Sequence, residues 1–243
     1  MGLEFARGLA SRGYDLVLVS NREDELASAA AALSAEYPVQ VHTHFQDLAK
    51  PRAADELFGW SKEEGFLPDV LVNDAGMFFF KELDTDDLDR VQAMLDLHIT
   101  TVTRICLLFG QAMKERGIGY ILNVSSMAAR IPAPGITVYS ASKAYLRSFG
   151  KSFSYELEPY GVHMTTVCPA AIATPLYKLN PKQMRFGVRI GLIRTPQWLA
   201  KRALRALFRG RRVISPAFMN VWLPALIAAL PDPIEKRLWK RFK

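Results

Sequence analysis

The sequence predicts an α/β fold built on a doubly wound parallel sheet. Short runs rich in Val, Ile and Leu alternate with longer segments of helical composition, which is the pattern of repeated strand–helix–strand units. The runs are apolar throughout, as expected for strands that helices cover on both faces. A length of 243 residues suits one large domain, and 50% apolar with 23% charged residues excludes a disordered chain, a collagen or a coiled coil.

The predicted elements follow in order from the amino terminus. Strands are predicted at 16–19, 39–45, 70–72, 120–124 and 162–167. Helices are predicted between them at 23–36, 52–64, 85–116 and 139–160. After Pro169 further prolines interrupt the pattern, and a helix near 197–208 and a late strand starting at 213 complete it.

The charge is divided unevenly along the chain. Residues 1–177 hold 15 Lys and Arg against 22 Asp and Glu, whereas residues 178–243 hold 16 against 2. This asymmetry favours an anionic partner for the last quarter. Cys106 and Cys168 both lie in apolar runs, so the sequence indicates a reducing compartment, no disulfide and no metal site.

A Tyr and a Lys that lie four residues apart carry the strongest chemical signal. Tyr139 and Lys143 share one face of the predicted helix, so the ammonium is expected to favour the phenolate and to lower the pKa of the phenol. A phenol with a lowered pKa can exchange a proton with a substrate oxygen near neutral pH. Ser126 follows the neighbouring strand and is placed to hydrogen-bond that same oxygen. Taken alone, a Tyr and Lys pair is also what an ordinary helix surface presents.

Three further segments fall at fitting places: 73–76 (Asn-Asp-Ala-Gly), Cys168-Pro169 and Thr174-Pro175. Together with Ser126, Tyr139 and Lys143, these segments resemble the short-chain dehydrogenase/reductase family, classical type, over about residues 2–215. The resemblance implies a Rossmann-like catalytic domain at 1–212, followed by an apolar and basic extension at 213–243. It implies that Tyr139 exchanges a proton with the substrate oxygen, that Lys143 holds the nicotinamide ribose and that Ser126 steadies the substrate.

The resemblance also implies a dinucleotide site. Its cofactor-binding residues are Gly2, Asn21, Arg22, Asp47, Asn73, Ala75, Gly76, Pro169, Ile172 and Thr174. The strand at 16–19 ends in neutral Ser20 and Asn21, with Arg22 beside them, which suits a 2′-phosphate better than a ribose hydroxyl. NADP(H) is therefore favoured over NAD(H). The alternative is that Arg22 merely precedes a helix whose acidic first turn complements the helix dipole.

The chain departs from the family pattern in several places. His98 stands where the family has an Asn; it is expected to substitute in a proton relay, or else to be a packed core histidine. Asp74 replaces an Asn and Ala170 a Gly, and both changes are expected to be small.

A larger departure lies at the beginning of the chain. Gly2 matches the last glycine of a Gly-rich turn, so the first strand and most of that turn are missing from the pattern. We expect a gap at the centre of the sheet, and we hypothesise a fragment or a mis-assigned start.

The substrate is predicted to be an apolar small molecule, lipid-like, acyl or steroid-like. Apolar and basic residues alternate in 176–194, which suits a lid, and 78–80 (Phe-Phe-Phe) adds an aromatic wall. The function predicted is a carbonyl–alcohol oxidoreductase. The alternatives are a nucleotide-binding sensor or scaffold without turnover, and a fragment that is inactive as given.

The C-terminal extension is predicted to contact a membrane surface. Apolar residues at 221–230 precede a segment at 234–243 in which Lys and Arg mix with Trp and Phe. The alternatives are burial in a homodimer or homotetramer, which the resemblance implies, and a solvated tail. No nucleic-acid partner is predicted, because no recognised motif is present. The expected location is cytoplasmic, with membrane association through this segment.

Overall fold

The computed structural model describes residues 1–131, 133–173, 180, 185, 187–189 and 193–216. Its strands are β1 (Leu16–Ser20), β2 (Val41–Phe45), β3 (Val70–Asn73), β4 (Gly119–Val124), β5 (Val162–Val167) and β6 (Val213–Ile214). Its helices are α1 (Gly2–Ala10), α2 (Glu23–Glu36), α3 (Ala53–Glu63), α4 (Leu88–Leu95), α5 (Val102–Arg116), α6 (Thr137–Leu157) and α7 (Pro196–Leu207). Strand–helix alternation confirms the predicted fold class.

All strand pairs described are parallel, and they form two ladders. β1 pairs with β2, and a second ladder runs in the order β3-β4-β5-β6. Among the described residues, no hydrogen-bonded pairing joins β1 to β3. The separation lies where the resemblance predicts a central strand. The sheet continues through Ile214, two residues beyond the predicted end of the main domain, and most of the predicted extension lies outside the described residues.

Helices cover both faces of the sheet, because each presents one apolar stripe to it. On one face α1, α2 and α7 contribute Phe5, Leu33 and Leu204 to one core cluster, in which α2 packs on β1 and β2 and α7 on β4 and β5. On the other, α3, α5 and α6 pack over β3, β4 and β5, with Met113 and Leu157 fully buried.

The predicted helix at 85–116 is continuous but not uniform. It begins as a 3₁₀ turn at Thr85–Asp87 and passes through α4, a π-helical stretch at Asp96–Thr101 and α5. Gly117 ends it in the left-handed conformation at φ 73°. The helix is long and apolar enough to cross a membrane by composition, but it packs on the sheet as core helices do. Its π-helical stretch directs His98 into the interior.

The carboxyl ends of β3, β4 and β5 meet at one edge of the sheet, beside the first turns of α6. In open parallel sheets this edge is where ligands bind. The turn 73–76 follows β3, Ser126 follows β4, and Cys168-Pro169 follows β5. The fold therefore brings the sequence motifs to one place.

Candidate active site

The structure brings Ser126, Tyr139 and Lys143 together. Ser126 caps the 3₁₀ helix Met127–Arg130, and its Oγ accepts the Ala128 N–H at 3.1 Å. The Ser126 hydroxyl lies beside the Tyr139 phenol, where it favours the ionised form of the phenol. Lys143 lies one turn further along α6, with Nζ 5.8 Å from the centre of the Tyr139 ring. The predicted juxtaposition of the three side chains is therefore present.

Lys143 is a buried cation at the end of β4. Only 6% of the residue is exposed, and Nζ donates to the Val124 carbonyl oxygen at 3.1 Å. Burial lowers the pKa of Lys143 to about 8, against the opposing attraction of the Asp74 carboxylate. A fraction of this lysine is consequently neutral under mildly alkaline conditions.

The pKa of Tyr139 is raised, not lowered, so the predicted direction was wrong for the chain without a cofactor. Burial of the phenol is the main cause, and the neighbouring Ser126 hydroxyl opposes it. The Phe78 ring meets Tyr139 edge to face at 4.9 Å, which helps to enclose it. The sequence shows the helical spacing that brings an ammonium close, but it does not show how much water the fold removes from the phenol.

His98 lies between the segment that follows β3 and the first turns of α6. Its Nε2 accepts the Met77 N–H at 3.0 Å, so the ring proton is assigned to Nδ1, which lies 3.0 Å from Ser142 Oγ. Ser142 in turn donates to the Tyr139 carbonyl oxygen at 2.8 Å. Burial and the nearby Lys143 lower the pKa of His98 to about 3. The described contacts favour the alternative of a neutral core histidine that positions Met77 and α6, and the relay role stays a prediction.

The turn 73–76 after β3 has its first residue bonded within the core and its last two exposed beside the site. Asn73 was predicted to face the cofactor, but its amide donates to Asn123 Oδ1 at 2.8 Å within the core. Ala75 and Gly76 lie exposed at the rim. A Cβ on Gly76 would lie 3.1 Å from His98 Nε2 and 3.7 Å from Lys143 Nζ. Gly76 therefore lets the turn approach both side chains closely.

Asp74 is a functional candidate that the sequence reasoning underestimated. Its side chain is 16% exposed, and Oδ1 is buried without a hydrogen-bond partner in the described structure. Burial raises the pKa of Asp74 to about 6, and the amino-terminal ammonium, 3.8 Å from Oδ2, opposes that rise together with Lys143 and the Gly2 N–H. The expected small effect of replacing Asn with Asp was wrong, because a carboxylate in this place carries a desolvation cost that an amide does not. The sequence feature that could have indicated this is the Asp itself, at a position where the family has Asn.

The predicted adenosine-side residues gather at the ends of β1 and β2. Asn21 Nδ2 lies 3.5 Å from Asp47 Oδ1, which also accepts the Ala49 N–H at 3.0 Å. Arg22 pairs with Glu25 at 2.6 Å, and both side chains are about two-thirds exposed, at 69% and 67%. Because an exposed ion pair contributes little stability, Arg22 is available to an incoming phosphate.

The remaining predicted cofactor residues have different positions. Gly2 lies beside the Asp74 carboxylate, and its N–H favours the ionised form of that group. The Pro169 carbonyl oxygen accepts the Met127 N–H at 2.8 Å. Ile172 is buried and forms a bridge with Arg194. Thr174 and most of the predicted lid at 176–194 lie outside the described residues.

A dinucleotide fits the two ends of this site. Asn21, Arg22 and Asp47 offer polar groups at one end, and Lys143 and Tyr139 at the other. Gly76 leaves room at the rim, where a Cβ would contact Lys143. The fit is less complete between the two ends, because the Asp74 carboxylate faces the first turn of α1. The N-terminus of a helix favours a bound anion, and at α1 the Asp74 carboxylate of the chain itself is that anion.

Comparisons with known proteins agree with this arrangement. The sequence pattern of the family described as short chain dehydrogenase matches residues 1–185. The very-long-chain 3-oxoacyl-CoA reductase of Homo sapiens is 32% identical over 184 residues, covering 74% of this chain and 58% of that protein. The same-named protein of Rattus norvegicus is 30% identical over 186 residues with equal coverage. The chain thus spans less than two-thirds of the length of these relatives.

Solved structures share the fold. A short-chain dehydrogenase from Sphingobium yanoikuyae, solved in complex with NADPH, superposes with a TM-score of 0.78 at 24% identity. The superposition covers 95% of this chain and 92% of that one. An L-sorbose reductase from Gluconobacter frateurii, complexed with NADPH and L-sorbose, gives a TM-score of 0.73 at 24% identity, covering 88% and 89%.

Proposed function

The chain belongs to the short-chain dehydrogenase family of oxidoreductases, and on that premise we propose that it interconverts an apolar ketone and its alcohol with NADP(H). The observation that carries the proposal is the buried cluster of Ser126, Tyr139 and Lys143 at the carboxyl edge of the sheet. A surface Tyr and Lys pair would be exposed on a helix, whereas here Lys143 is buried and Ser126 lies beside the phenol.

The side chains of the cluster divide the proton chemistry. The Tyr139 hydroxyl gives its proton to the carbonyl oxygen during reduction and takes it back during oxidation. Ser126 lies beside the Tyr139 phenol and is placed to hydrogen-bond the same substrate oxygen. Lys143 supplies a positive charge beneath the ring, held in place by the Val124 carbonyl. The nicotinamide, when bound, supplies or accepts the hydride.

The raised pKa of Tyr139 bears on how this acid works. A phenol with a high pKa is a weak proton donor, so the cluster needs extra positive charge near the oxygen as it becomes negative. Lys143 is the only buried cation of the described cluster, and its protonated form supplies that charge. We therefore assign Lys143 the electrostatic role and Tyr139 the proton transfer.

The preference for NADP(H) rests on the end of β1. No carboxylate follows that strand directly, since Ser20 and Asn21 are neutral, and the Ser20 hydroxyl accepts the Arg22 N–H at 3.2 Å. This bond turns the chain so that Arg22 lies at the strand end, where a 2′-phosphate would replace Glu25 as its partner. Complexes of NADPH with proteins of the same fold are consistent with this preference.

An apolar substrate is supported by the aromatic residues around Tyr139. Phe78 packs on the phenol, Phe79 is buried against Arg90, and Phe80 is 56% exposed at the rim. The reductase names of the curated relatives favour a 3-oxoacyl chain among the lipid-like, acyl and steroid-like candidates.

The test is NADPH oxidation by the purified chain with three ketone classes: a long-chain 3-oxoacyl thioester, a 3-oxosteroid and a short polar ketone. Turnover of an apolar ketone, reduced about 100- to 10,000-fold in Tyr139→Phe while NADPH binding is retained, supports the proposal. Lack of turnover by the wild type with every ketone, together with tight NADPH binding, would instead favour a nucleotide-binding protein without catalysis. Binding is followed by NADPH fluorescence, with NADH alongside to test the cofactor preference.

A further inference from the structure

A stripe of exposed cations runs along α7, on the helix face that points away from the sheet. Lys201, Arg202 and Arg205 are exposed on α7 within an arc of about 100°, and exposed Arg209 lies two residues beyond the end of the helix. The opposite face of α7 is buried against the core. We call these four residues the α7 stripe.

The positive charge of the α7 stripe is not neutralised locally. Residues 193–216 contain seven Lys and Arg and no Asp or Glu. In the part of the chain that the structure describes, none of the four residues forms an ion pair. Arg7, Arg104 and Arg212, by contrast, each bond to a carboxylate. An unpaired cationic row of this kind attracts an anionic surface.

An aromatic side chain lies within the stripe. Trp198 is half-buried on the same face, with the Arg202 guanidinium 4.6 Å from its ring centre and that of Arg194 5.1 Å away. Exposed Arg12, two residues beyond the end of α1, lies 5.8 Å from the ring of Phe208, which follows α7. Tryptophan and arginine together are suited to the headgroup level of a bilayer, where an amphipathic ring has one apolar and one wet side.

The composition of the flanking sequence points to the same kind of surface. The residues that follow Pro216, 217–230, include twelve apolar residues and no charged residue among 14, and 231–243 add five Lys and Arg. The alternating apolar and basic segment 176–194 precedes α7. A cationic helix between two apolar segments fits a surface that offers both negative charge and hydrocarbon.

We propose that the α7 stripe docks this protein on the surface of a lipid bilayer that contains anionic phospholipids. The docking is peripheral, because the apolar face of α7 is already buried in the protein. It is independent of the proposed reaction.

Sedimentation of the full chain with vesicles tests the proposal. The vesicles contain phosphatidylcholine alone or phosphatidylcholine mixed with phosphatidylglycerol. The stripe variant carries four substitutions: Lys201→Gln, Arg202→Gln, Arg205→Gln and Arg209→Gln. A matched control loses the same charge at exposed positions on other elements: Lys50→Gln, Arg52→Gln, Lys62→Gln and Lys151→Gln. Thermal melts of both variants check that the fold is retained.

Each Lys or Arg near an anionic leaflet contributes about fivefold to binding, so the stripe variant is expected to bind the mixed vesicles roughly a hundredfold more weakly or worse. The control variant is expected to bind within a few fold of the wild type, and added salt to release the wild type. Equal loss in both variants would overturn the proposal, because net charge alone would then explain the binding. Three other results would also overturn it: undiminished binding by the stripe variant, equal wild-type binding to both vesicle types, and tighter wild-type binding to a duplex oligonucleotide.

Discussion

Replacing Asp74 with Asn is expected to stabilise the protein near neutral pH. The Asp74 side chain is only 16% exposed, its Oδ1 has no described hydrogen-bond partner, and burial raises its pKa from 3.8 to about 6. At 1.36 kcal/mol per pKa unit, this rise corresponds to about 3 kcal/mol of destabilisation of the ionised form. An amide of the same shape carries no charge to desolvate.

The pH dependence follows from the sign of the shift. Because the folded-state pKa is raised, the folded protein binds the proton more tightly than the unfolded chain does. Stability from this group is therefore fully present below the unfolded value near 4 and is lost as the pH rises through about 6. Asp74→Asn removes this loss, so its advantage over the wild type is expected at neutral pH and not in acid.

The assay is thermal or urea unfolding between about pH 4.5 and pH 7.5. At the upper end Asp74→Asn is expected to be about 1–3 kcal/mol more stable, with a Tm several degrees higher. Glu63→Gln is the control, since Glu63 is exposed and its replacement is expected to change stability by about 0.5 kcal/mol or less. A lower Tm for Asp74→Asn at neutral pH, or an equal gain at both ends of the range, would refute the reasoning.

Three further predictions concern the same site. Gly76→Ala is expected to cost about 1–3 kcal/mol in urea unfolding and to weaken NADPH binding, because the added Cβ would meet His98 Nε2 at 3.1 Å; unchanged binding would argue against the close approach. His98→Leu is expected to cost roughly 1–3 kcal/mol by leaving the Met77 N–H unpaired, with partial recovery in His98→Asn. NADPH affinity, followed by fluorescence, is expected to fall as the pH rises through about 8, and Lys143→Met to remove that dependence.

The sequence predicts most of the fold because its patterns are local. The helix at 23–36 lies where predicted, with three acidic residues in its first turn. The strand predicted at 39–45 begins only at Val41, because the Val39 N–H bonds back to the Tyr37 carbonyl before the ladder starts. The division of the strands into two ladders was expected because the first strand and most of the Gly-rich turn are missing from the pattern. The spacing of apolar residues along strands and helices would not by itself indicate this division.

The sequence predicts which site residues meet but not how each is solvated. The spacing of Tyr139 and Lys143 and the position of Ser126 after a strand suffice to bring the three together. The direction of the Tyr139 pKa depends on the ring of Phe78 and on the depth of the pocket, which are tertiary properties. The role of His98 depends likewise on two partners 21 and 44 residues away along the chain.

Asp74 and Lys143 together set the pH range in which this site has its full charge pattern. Burial raises the pKa of Asp74 to about 6 and lowers that of Lys143 to about 8, and the attraction between them opposes both shifts. Between these values Asp74 is an anion and Lys143 a cation; in more acidic solution the Asp74 carboxyl is neutral, and in more alkaline solution the Lys143 amine is. Only the ammonium form of Lys143 can stabilise negative charge at the substrate oxygen, so loss of the Lys143 proton in alkaline solution is expected to affect catalysis. The acidic limit bears on stability, because protonating Asp74 removes a buried charge while leaving the cation in place.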